Sequence, residues 1–303
     1  MNQNFYDKLS NRIEQDRIYI DEPMSCHTTF RVGGMADFFV TPKNANEVKD
    51  AIEICREEGM PYYIIGNGSN LLVSDKGYRG VIIQIYKEMN EITVEDGKVK
   101  AQAGALLSGI AAKALAAELT GFEFASGIPG TIGGACVMNA GAYGGEMKDV
   151  LESVTVLTGE GEIIELGRNE LELGYRTSVI AKKGYIVLGA VMKLEHGDAV
   201  NIKAYMDELK EKRVTKQPLE YPSAGSTFKR PEGHFAGKLI EDAGLRGFQV
   251  GGAQVSEKHC GFVINRDHAT AADIMELMRQ VQMRVKENSG VDLEPEVKRL
   301  GDE

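Results

Sequence analysis

The sequence lacks the two glycine motifs that most often bind a nucleotide. It has no GxGxxG opening a helix, as in Rossmann folds, and no GxxxxGK[ST] phosphate loop. It also lacks an excess of positive charge, because the net charge is −10. That balance argues against general nucleic-acid binding, and an anionic ligand would need a local basic patch.

Cysteines and long apolar runs are scarce as well. Cys26, Cys55, Cys136 and Cys260 include no CxxC pair and have no histidine at zinc spacing. This usage favours reduced thiols in a cytosolic protein. No apolar run approaches the ~20 residues of a membrane helix, and the polar N-terminus lacks the apolar core of a signal peptide. We therefore expect a cytoplasmic protein without membrane insertion.

Glycine is abundant, and its densest cluster lies at residues 127–145, which read GIPGTIGGACVMNAGAYGG. Glycines at this density let backbone N–H groups turn inward and form a nest for an anion such as phosphate. The same composition equally fits a small-residue helix buried under a sheet, so this stretch alone leaves both interpretations open.

A second glycine-rich turn lies in residues 62–73, which read YYIIGNGSNLLV. The apolar run at 62–65 predicts a buried strand, and the GNGSN segment predicts a tight polar turn after it. Two such turns without either common motif indicate a dinucleotide-binding fold of another kind.

The remaining chain alternates short strands and helices. Asn44 or Asn46 can cap a helix, Asp96-Gly97 predicts the turn of a hairpin over 92–103, and residues 28–40 are expected to form a strand, a glycine turn and a strand. A polar break near residues 195–198 suggests a domain boundary. We expect an α+β protein with an N-terminal arm (1–27), a domain in two parts (28–196, divided near residue 90) and a second domain (197–303).

Ser226 is the serine that most resembles a reactive group. A nucleophilic serine in a GxSxG elbow needs glycines two places before and after it, but Ala224 and Phe228 stand there. The residues alone therefore exclude this hydrolase motif and favour a loop serine bonded to local backbone.

Five blocks in order nevertheless resemble one family. They are GNGSNLL, GIPGTIGGACVMNAGAYGGE, YRTS, GSTFK and LEPEVKRLG, and the similarity runs from about Thr28 to Leu300. The sequence resembles the UDP-N-acetylenolpyruvoylglucosamine reductases, flavoenzymes of bacterial peptidoglycan synthesis. The resemblance implies a bipartite FAD-binding domain of the vanillyl-alcohol oxidase (PCMH) type and a C-terminal α/β substrate domain. It also implies non-covalent FAD, NADPH as co-substrate and a nucleotide-sugar substrate.

The resemblance also implies site residues. Those expected to hold FAD are Ile65, Gly66, Asn67, Gly68, Ser69, Asn70, Leu71, Gly127, Pro129, Gly130, Thr131, Gly133, Gly134, Asn139, Gly141 and Ala142. Those expected to bind substrate are Tyr175, Arg213, Lys216, Lys229 and Asn265. Those expected to act in catalysis are Arg176, Ser226 and Glu296.

The implied reaction is reduction of an enolpyruvyl ether to a lactyl ether. Reduced flavin passes a hydride from N5 to the terminal vinyl carbon, and Ser226 protonates the adjacent carbon. Arg176 suits a substrate carboxylate because a guanidinium binds it bidentately, with Glu296 as its partner. Glu294 is the nearest rival to Glu296, and only the motif register separates the two.

One feature departs from the longer members of the family, which carry an inserted loop with a tyrosine that closes on substrate. The segment between Arg176 and Ser226 has no room for that loop, so the chain resembles the short form. Two other functions are compatible with the sequence: a flavin-dependent alcohol or sugar oxidase of the same fold, and a nucleotide-sugar-binding regulator without catalysis.

Overall fold

The structure is a computed structural model that describes residues 3–302. The α-helices are α1 (Gln3–Ser10), α2 (Ala45–Glu57), α3 (Leu107–Ala116), α4 (Ile132–Val137), α5 (Met147–Val150), α6 (Val179–Lys183), α7 (Ala199–Lys216), α8 (Ala236–Asp242) and α9 (Ala271–Ser289). Short 3₁₀ helices lie at Gln15–Arg17, Met24–Cys26, Glu123–Ala125 and Arg168–Leu171.

The strands alternate with these helices along the chain. They are β1 (Ile18–Pro23), β2 (Met35–Val40), β3 (Tyr62–Ile65), β4 (Leu71–Val73), β5 (Tyr78–Gln84), β6 (Ile92–Glu95), β7 (Lys98–Gln102), β8 (Leu119–Thr120), β9 (Gly141–Ala142), β10 (Gly145–Glu146), β11 (Leu151–Leu157), β12 (Ile163–Gly167), β13 (Ile186–Lys193), β14 (Glu195–His196), β15 (Gln249–Val250), β16 (Ala253–Val255), β17 (Val263–Asn265) and β18 (Lys298–Leu300).

The chain divides into two compact units that are interleaved in sequence. The first contains the chain up to Tyr19, Phe39–Asn67 and Val81–Arg213. The second contains Ile20–Phe38, Gly68–Gly80 and the chain from Val214 onward. The division therefore falls inside α7 rather than at residues 196/197, and two short N-terminal segments join the second unit.

The first unit is built on a five-stranded antiparallel sheet in the order β12-β11-β13-β7-β6. Alternate residues of a strand point to the same face of the sheet, and on one face of this sheet these residues are apolar. Ala101 pairs with Ala190, Val99 pairs with Met192, and all four are buried. Helices α3 and α4 contact β7, and α4 also contacts β13. Asp96 and Gly97 have φ of 50° and 72°, as a tight hairpin turn between β6 and β7 requires, so the predicted hairpin is confirmed.

The same unit contains α2 and the strand that follows it, β3. Asn44 caps α2 by accepting a hydrogen bond from the N–H of Glu47 at 3.0 Å, which settles the choice between Asn44 and Asn46. Strand β3 runs parallel to β5, with Ile65 opposite Gln84. Its carboxyl end leads into the GNGSN turn, as the sequence predicts.

The second unit packs β15, β16 and β17 against α9. One face of α9 is apolar and buried, and its members are Ile274, Leu277, Met278, Val281 and Val285. Phe30 and Val32 belong to the same core, but residues 28–34 form no strand and Arg31 has φ of 56°. The strand predicted at the start of 28–40 is therefore wrong, because core burial alone produced its alternating pattern.

Candidate active site

In the first unit, the start of the GNGSN turn contacts the GIPGT segment. The carboxamide Nδ2 of Asn67 donates to the carbonyl of Pro129 at 2.8 Å. A methyl group on Gly66 would lie 2.3 Å from the hydroxyl of Thr131, so the approach requires glycine. Gln84 donates to the carbonyl of Gly66 at 3.0 Å and fixes the start of the turn. The two predicted glycine-rich segments thus meet at these residues.

In the second unit, the remainder of that turn is held by its own neighbours. The N–H of Thr29 donates to the carbonyl of Gly68 at 3.2 Å, and the side chain of Asn70 donates to the carbonyl of Glu296 at 3.2 Å. Leu71 starts β4, which pairs in parallel with β18. The hydroxyl of Thr29 is buried and has no hydrogen-bond partner within the described residues.

Both glycine segments present backbone N–H groups without a protein acceptor. Within residues 3–302, the N–H groups of residues 67–70, Gly127 and Gly130 donate no hydrogen bond to another residue. A row of such donors is the usual receptor for a phosphate or diphosphate. Each segment therefore fits the phosphate-bearing part of a dinucleotide cofactor.

The rest of the second glycine stretch is partly structural. Thr131 caps α4, and a methyl group on Gly133 would lie 3.0 Å from the carbonyl of Ala103. Gly141 and Ala142 form β9, which pairs with β10 in a short hairpin, while Gly134 is exposed. The alternative interpretation, a helix of small residues packed under the sheet, is thus correct for α4. The free N–H groups of Gly127 and Gly130 lie before this helix.

Asn139 is only 1% exposed, and its side chain is used inside the protein. Its Nδ2 donates both to the carboxylate of Glu146 and, at 3.0 Å, to the carbonyl of Gly174. Its Oδ1 accepts from the N–H of Lys148 at 2.9 Å. Both amide hydrogens of Asn139 are thus used inside the protein, and its side chain has no donor left for FAD.

Tyr175 and Arg176 form the tip of a tight turn. The N–H of Gly174 donates to the carbonyl of Thr177 at 3.1 Å, and the reverse hydrogen bond measures 3.3 Å. Arg176 has φ of 54°, a left-handed conformation that usually requires glycine or asparagine. Its guanidinium lies 5.3 Å from the centre of the Tyr175 ring, and Tyr175 is 55% exposed. The turn therefore presents a cation and an aromatic ring together.

Arg213 lies against the first glycine of the GIPG segment. A methyl group on Gly127 would be 3.1 Å from its Nε. Burial lowers the pKa of Arg213, and the contact with Tyr143 partly offsets that effect. The nearness of Tyr143 to Arg213 gives no local signal in the sequence, because the two residues lie far apart along the chain.

In the second unit, the GSTFK and LEPEV segments pair in antiparallel fashion. Phe228 pairs with Pro295, and the N–H of Glu296 donates to the carbonyl of Thr227 at 2.9 Å. Thr227 is fully buried, and its N–H donates to the carbonyl of Gly261 at 2.9 Å. Ser226, the next residue, is exposed, and its hydroxyl has no hydrogen-bond partner within the described chain. The pairing therefore fixes the backbones of Ser226 and Glu296 close together.

The structure distinguishes the two candidate glutamates. Glu296 is 9% exposed, whereas the side chain of Glu294 is 70% exposed and forms a salt bridge with Lys229. A buried carboxylate beside the paired segments fits a defined chemical role better than a solvated one. The ion pair also occupies Lys229, which the sequence predicts as a substrate ligand.

Two further predicted substrate residues differ in their surroundings. Lys216 is exposed at the end of α7. Asn265 donates to the carbonyl of Phe30 at 3.1 Å and accepts from the N–H of Ala269 at 2.8 Å, so it stabilises the core of the second unit. One amide hydrogen of Asn265 remains available for a ligand.

The cysteines take no part in these arrangements. All four are free thiols, and burial raises the pKa of Cys55 to about 12. Residues 3–302 contain no group of three or more histidine, cysteine, aspartate or glutamate side chains that could hold a metal ion. In the same range, no helix has the length and apolar character needed to cross a membrane.

Comparison with known proteins agrees with both units. Residues 36–167 match the FAD binding domain family, and residues 217–300 match the C-terminal domain of UDP-N-acetylenolpyruvoylglucosamine reductase. The reductases of Agathobacter rectalis and Clostridioides difficile are 54% and 52% identical to this chain. Each alignment covers 100% of this chain, with 100% and 99% of the respective relative.

Solved structures give the same result. The Thermus caldophilus reductase superimposes with a TM-score of 0.79 and 37% identity, covering 94% of this chain and 98% of that one. A variant of Phl p 4, described as a glucose oxidase, shares only the fold, with a TM-score of 0.52 and 14% identity over 95% of this chain and 59% of its own. The predicted α+β class, with an FAD-binding domain followed by a reductase-type C-terminal domain, is thereby confirmed. The chain belongs to the UDP-N-acetylenolpyruvoylglucosamine reductase family.

Proposed function

We propose that this chain reduces the enolpyruvyl ether of UDP-N-acetylglucosamine to UDP-N-acetylmuramate, a step of peptidoglycan precursor synthesis, with NADPH as electron donor and FAD as bound cofactor. The observation that carries the proposal is the antiparallel pairing of the GSTFK and LEPEV segments, which brings the backbone of the exposed Ser226 close to that of the buried Glu296. Family membership over the whole chain supports the choice of substrate. A cytoplasmic location belongs to the proposal and is supported by the four free thiols.

FAD, when bound, supplies to the terminal vinyl carbon of the substrate a hydride derived from NADPH. In the first unit, Asn67, Gly127 and Gly130 have free N–H groups that would hold its diphosphate. In the second unit, Gly68, Ser69 and Asn70 have N–H groups of the same kind. Gly66 and Asn67 keep the GNGSN turn against the GIPGT segment. The turn at residues 66–70 contains neither cysteine nor histidine, so it offers no side chain for covalent attachment of the flavin.

Ser226 would donate the proton that completes the reduction. As the vinyl carbon gains hydrogen, the carbon next to the carboxylate takes on carbanion character and must be protonated. A serine hydroxyl is a weak acid, so it can serve only where the developing charge is stabilised and water is excluded. The absence of a protein partner for this hydroxyl within residues 3–302 leaves its proton available.

Arg176 and Glu296 would stabilise the enol form of the substrate carboxylate. The left-handed turn projects Arg176 beside Tyr175, and a guanidinium fork matches a carboxylate in bidentate geometry. Glu296 would act through Arg176, through a water molecule or as the protonated acid, because a bare carboxylate would repel the substrate. Arg213 and Lys216 would supply positive charge for the diphosphate of the nucleotide sugar.

The alternative function, an alcohol or sugar oxidase of the same fold, predicts different kinetics. Such an enzyme would reduce its flavin with an alcohol and reoxidise it with oxygen, and it would not need NADPH. We expect purified protein to be yellow and to turn over NADPH beyond one equivalent per flavin only when the enolpyruvyl nucleotide sugar is present, forming one lactyl ether for each NADPH consumed in turnover. Oxygen-dependent turnover of sugars without NADPH, or a colourless protein that binds the nucleotide sugar, would overturn the proposal.

NADPH and substrate are proposed to react in turn, since the sequence contains no separate dinucleotide motif for NADPH. This order predicts that NADPH bleaches the flavin in a stopped-flow experiment without substrate. Flavin that stays oxidised until the enolpyruvyl sugar is added would contradict the alternating order while leaving the overall reaction intact.

A further inference from the structure

The turn that carries Arg176 is strained and needs support from its surroundings. Arg176 occupies the second tip position of a four-residue turn, Gly174–Thr177, with φ of 54°. This conformation is unfavourable for a residue with a side chain, and it persists only where neighbouring groups enforce it. The structure therefore has to contain elements that hold both ends of the turn.

Asn139 holds the first end. Its Nδ2 donates to the carbonyl of Gly174 at 3.0 Å, and its carboxamide is itself fixed by Glu146 and by the N–H of Lys148. Since Asn139 is 1% exposed, water cannot readily replace a lost hydrogen bond. The position of the Gly174 carbonyl thus depends on a buried amide donor.

Ser178 holds the second end. Its hydroxyl donates to the carbonyl of Val137 at 2.6 Å and accepts from the N–H of Ala181 at 3.2 Å, capping α6. Ser178 is completely buried. Both ends of the turn are therefore tied to residues 137–139, at the carboxyl end of α4, the short helix that Thr131 caps at its other end.

We propose that Asn139 and Ser178 are positioning residues that keep Arg176 in its left-handed conformation for the substrate carboxylate, and that α4 fixes this turn relative to the GIPGT segment. This inference rests on the role of Arg176 in the proposed function. Neither residue touches the substrate, so their contribution to the reaction passes through Arg176 alone.

A double-mutant cycle with Arg176→Ala tests the proposal. Asn139→Asp keeps the shape and the Oδ1 acceptor but replaces the donor with an acceptor facing Glu146 and the Gly174 carbonyl. The carbonyl of Gly174 then loses its buried hydrogen-bond donor and the turn shifts. We therefore expect kcat/KM for the enolpyruvyl sugar to fall about 5- to 150-fold. Because the proposed effect passes through Arg176, Asn139→Asp in the Arg176→Ala background should change kcat/KM by no more than about 2-fold.

Ser178→Ala provides the second variant, with Ser178→Thr retaining the hydroxyl as its rescue. Asn201→Asp is a matched control for the added charge, because Asn201 is exposed on α7 and lies outside the site. Flavin content and the rate of flavin reduction by NADPH should stay near wild-type values in Asn139→Asp and Ser178→Ala. These readouts separate a shifted turn from a general loss of folding.

The outcomes separate the two proposals. If Asn139→Asp lowers kcat/KM equally in the wild-type and Arg176→Ala backgrounds, its role is merely structural and the inference is overturned. The inference is also overturned if neither Asn139→Asp nor Ser178→Ala lowers kcat/KM. Wild-type turnover by Arg176→Ala itself would instead refute the role of Arg176 in the proposed function, and the positioning role would fall with it.

Discussion

Replacing Gly66 by alanine tests the contact between the two glycine segments. The added methyl carbon would lie 2.3 Å from the hydroxyl oxygen of Thr131 and 3.3 Å from its methyl carbon. Overpacking of this kind typically costs about 1–3 kcal/mol. Thr131 cannot turn away freely because its hydroxyl caps α4, and loss of such a cap costs about 0.5–2 kcal/mol.

If the GNGSN turn moves instead, the Asn67–Pro129 hydrogen bond breaks and the N–H groups for the diphosphate shift. We therefore expect Gly66→Ala to weaken FAD binding about 5- to 150-fold, since each 1.4 kcal/mol corresponds to a factor of ten. The assay is titration of apoprotein with FAD, followed by flavin fluorescence. Gly159→Ala is the matched control, because no atom lies within 4 Å of the added methyl group.

The double variant Gly66→Ala/Thr131→Ala shows whether the clash causes the loss. Once the hydroxyl and methyl of Thr131 are removed, the nearest remaining atom of that side chain is its Cβ, which lies 3.4 Å from the added carbon. The double variant should therefore bind FAD more tightly than Gly66→Ala, with a favourable coupling of about 1–2 kcal/mol. Wild-type affinity in Gly66→Ala, or strictly additive losses in the double variant, would refute the reasoning.

Three further predictions follow from the site and the core. Ser226→Ala should leave flavin reduction by NADPH intact and slow turnover of the enolpyruvyl sugar at least ~10²-fold, the low end for a general acid; equal losses in both half-reactions would indicate a structural role. Glu296→Gln should lower kcat for the same substrate, whereas the matched Glu294→Gln should leave it nearly unchanged, because Glu294 is solvated; equal effects would contradict the assignment. Although burial acts to raise the pKa of Glu47, its hydrogen bond with Arg17 leaves that pKa below the ordinary glutamate value of 4.5. A depressed carboxyl pKa contributes stability that is present above pH 4.5 and is lost as the pH falls through the folded value. Glu47→Gln should therefore cost about 3–5 kcal/mol near neutral pH, measured by urea unfolding, and flatten the acid dependence; an unchanged acid limb would contradict it.

Local patterns predict local structure well in this chain. The cap at Asn44, the Asp96-Gly97 turn and the apolar face of α9 all depend on residues a few positions apart. The two glycine segments are also recognisable, because glycine at such density is typical of tight turns and of close approaches between backbones. None of these features requires knowledge of a distant contact.

Long-range pairing explains what the sequence could not predict. Strand β4 joins the second unit because it pairs with β18, near the other end of the chain, and no local pattern records that partner. The role of Asn139 depends on the carbonyl of Gly174, 35 residues away. The burial of Glu296 and the exposure of Glu294 likewise depend on distant contacts, which two nearby glutamates of equal local character do not reveal.

The most direct measurement mixes pre-reduced enzyme with the enolpyruvyl nucleotide sugar in the absence of oxygen and follows the flavin spectrum. A reductase of this family should reoxidise its flavin completely and form one lactyl ether per flavin. Flavin that remains reduced until oxygen is admitted would contradict the proposed reaction.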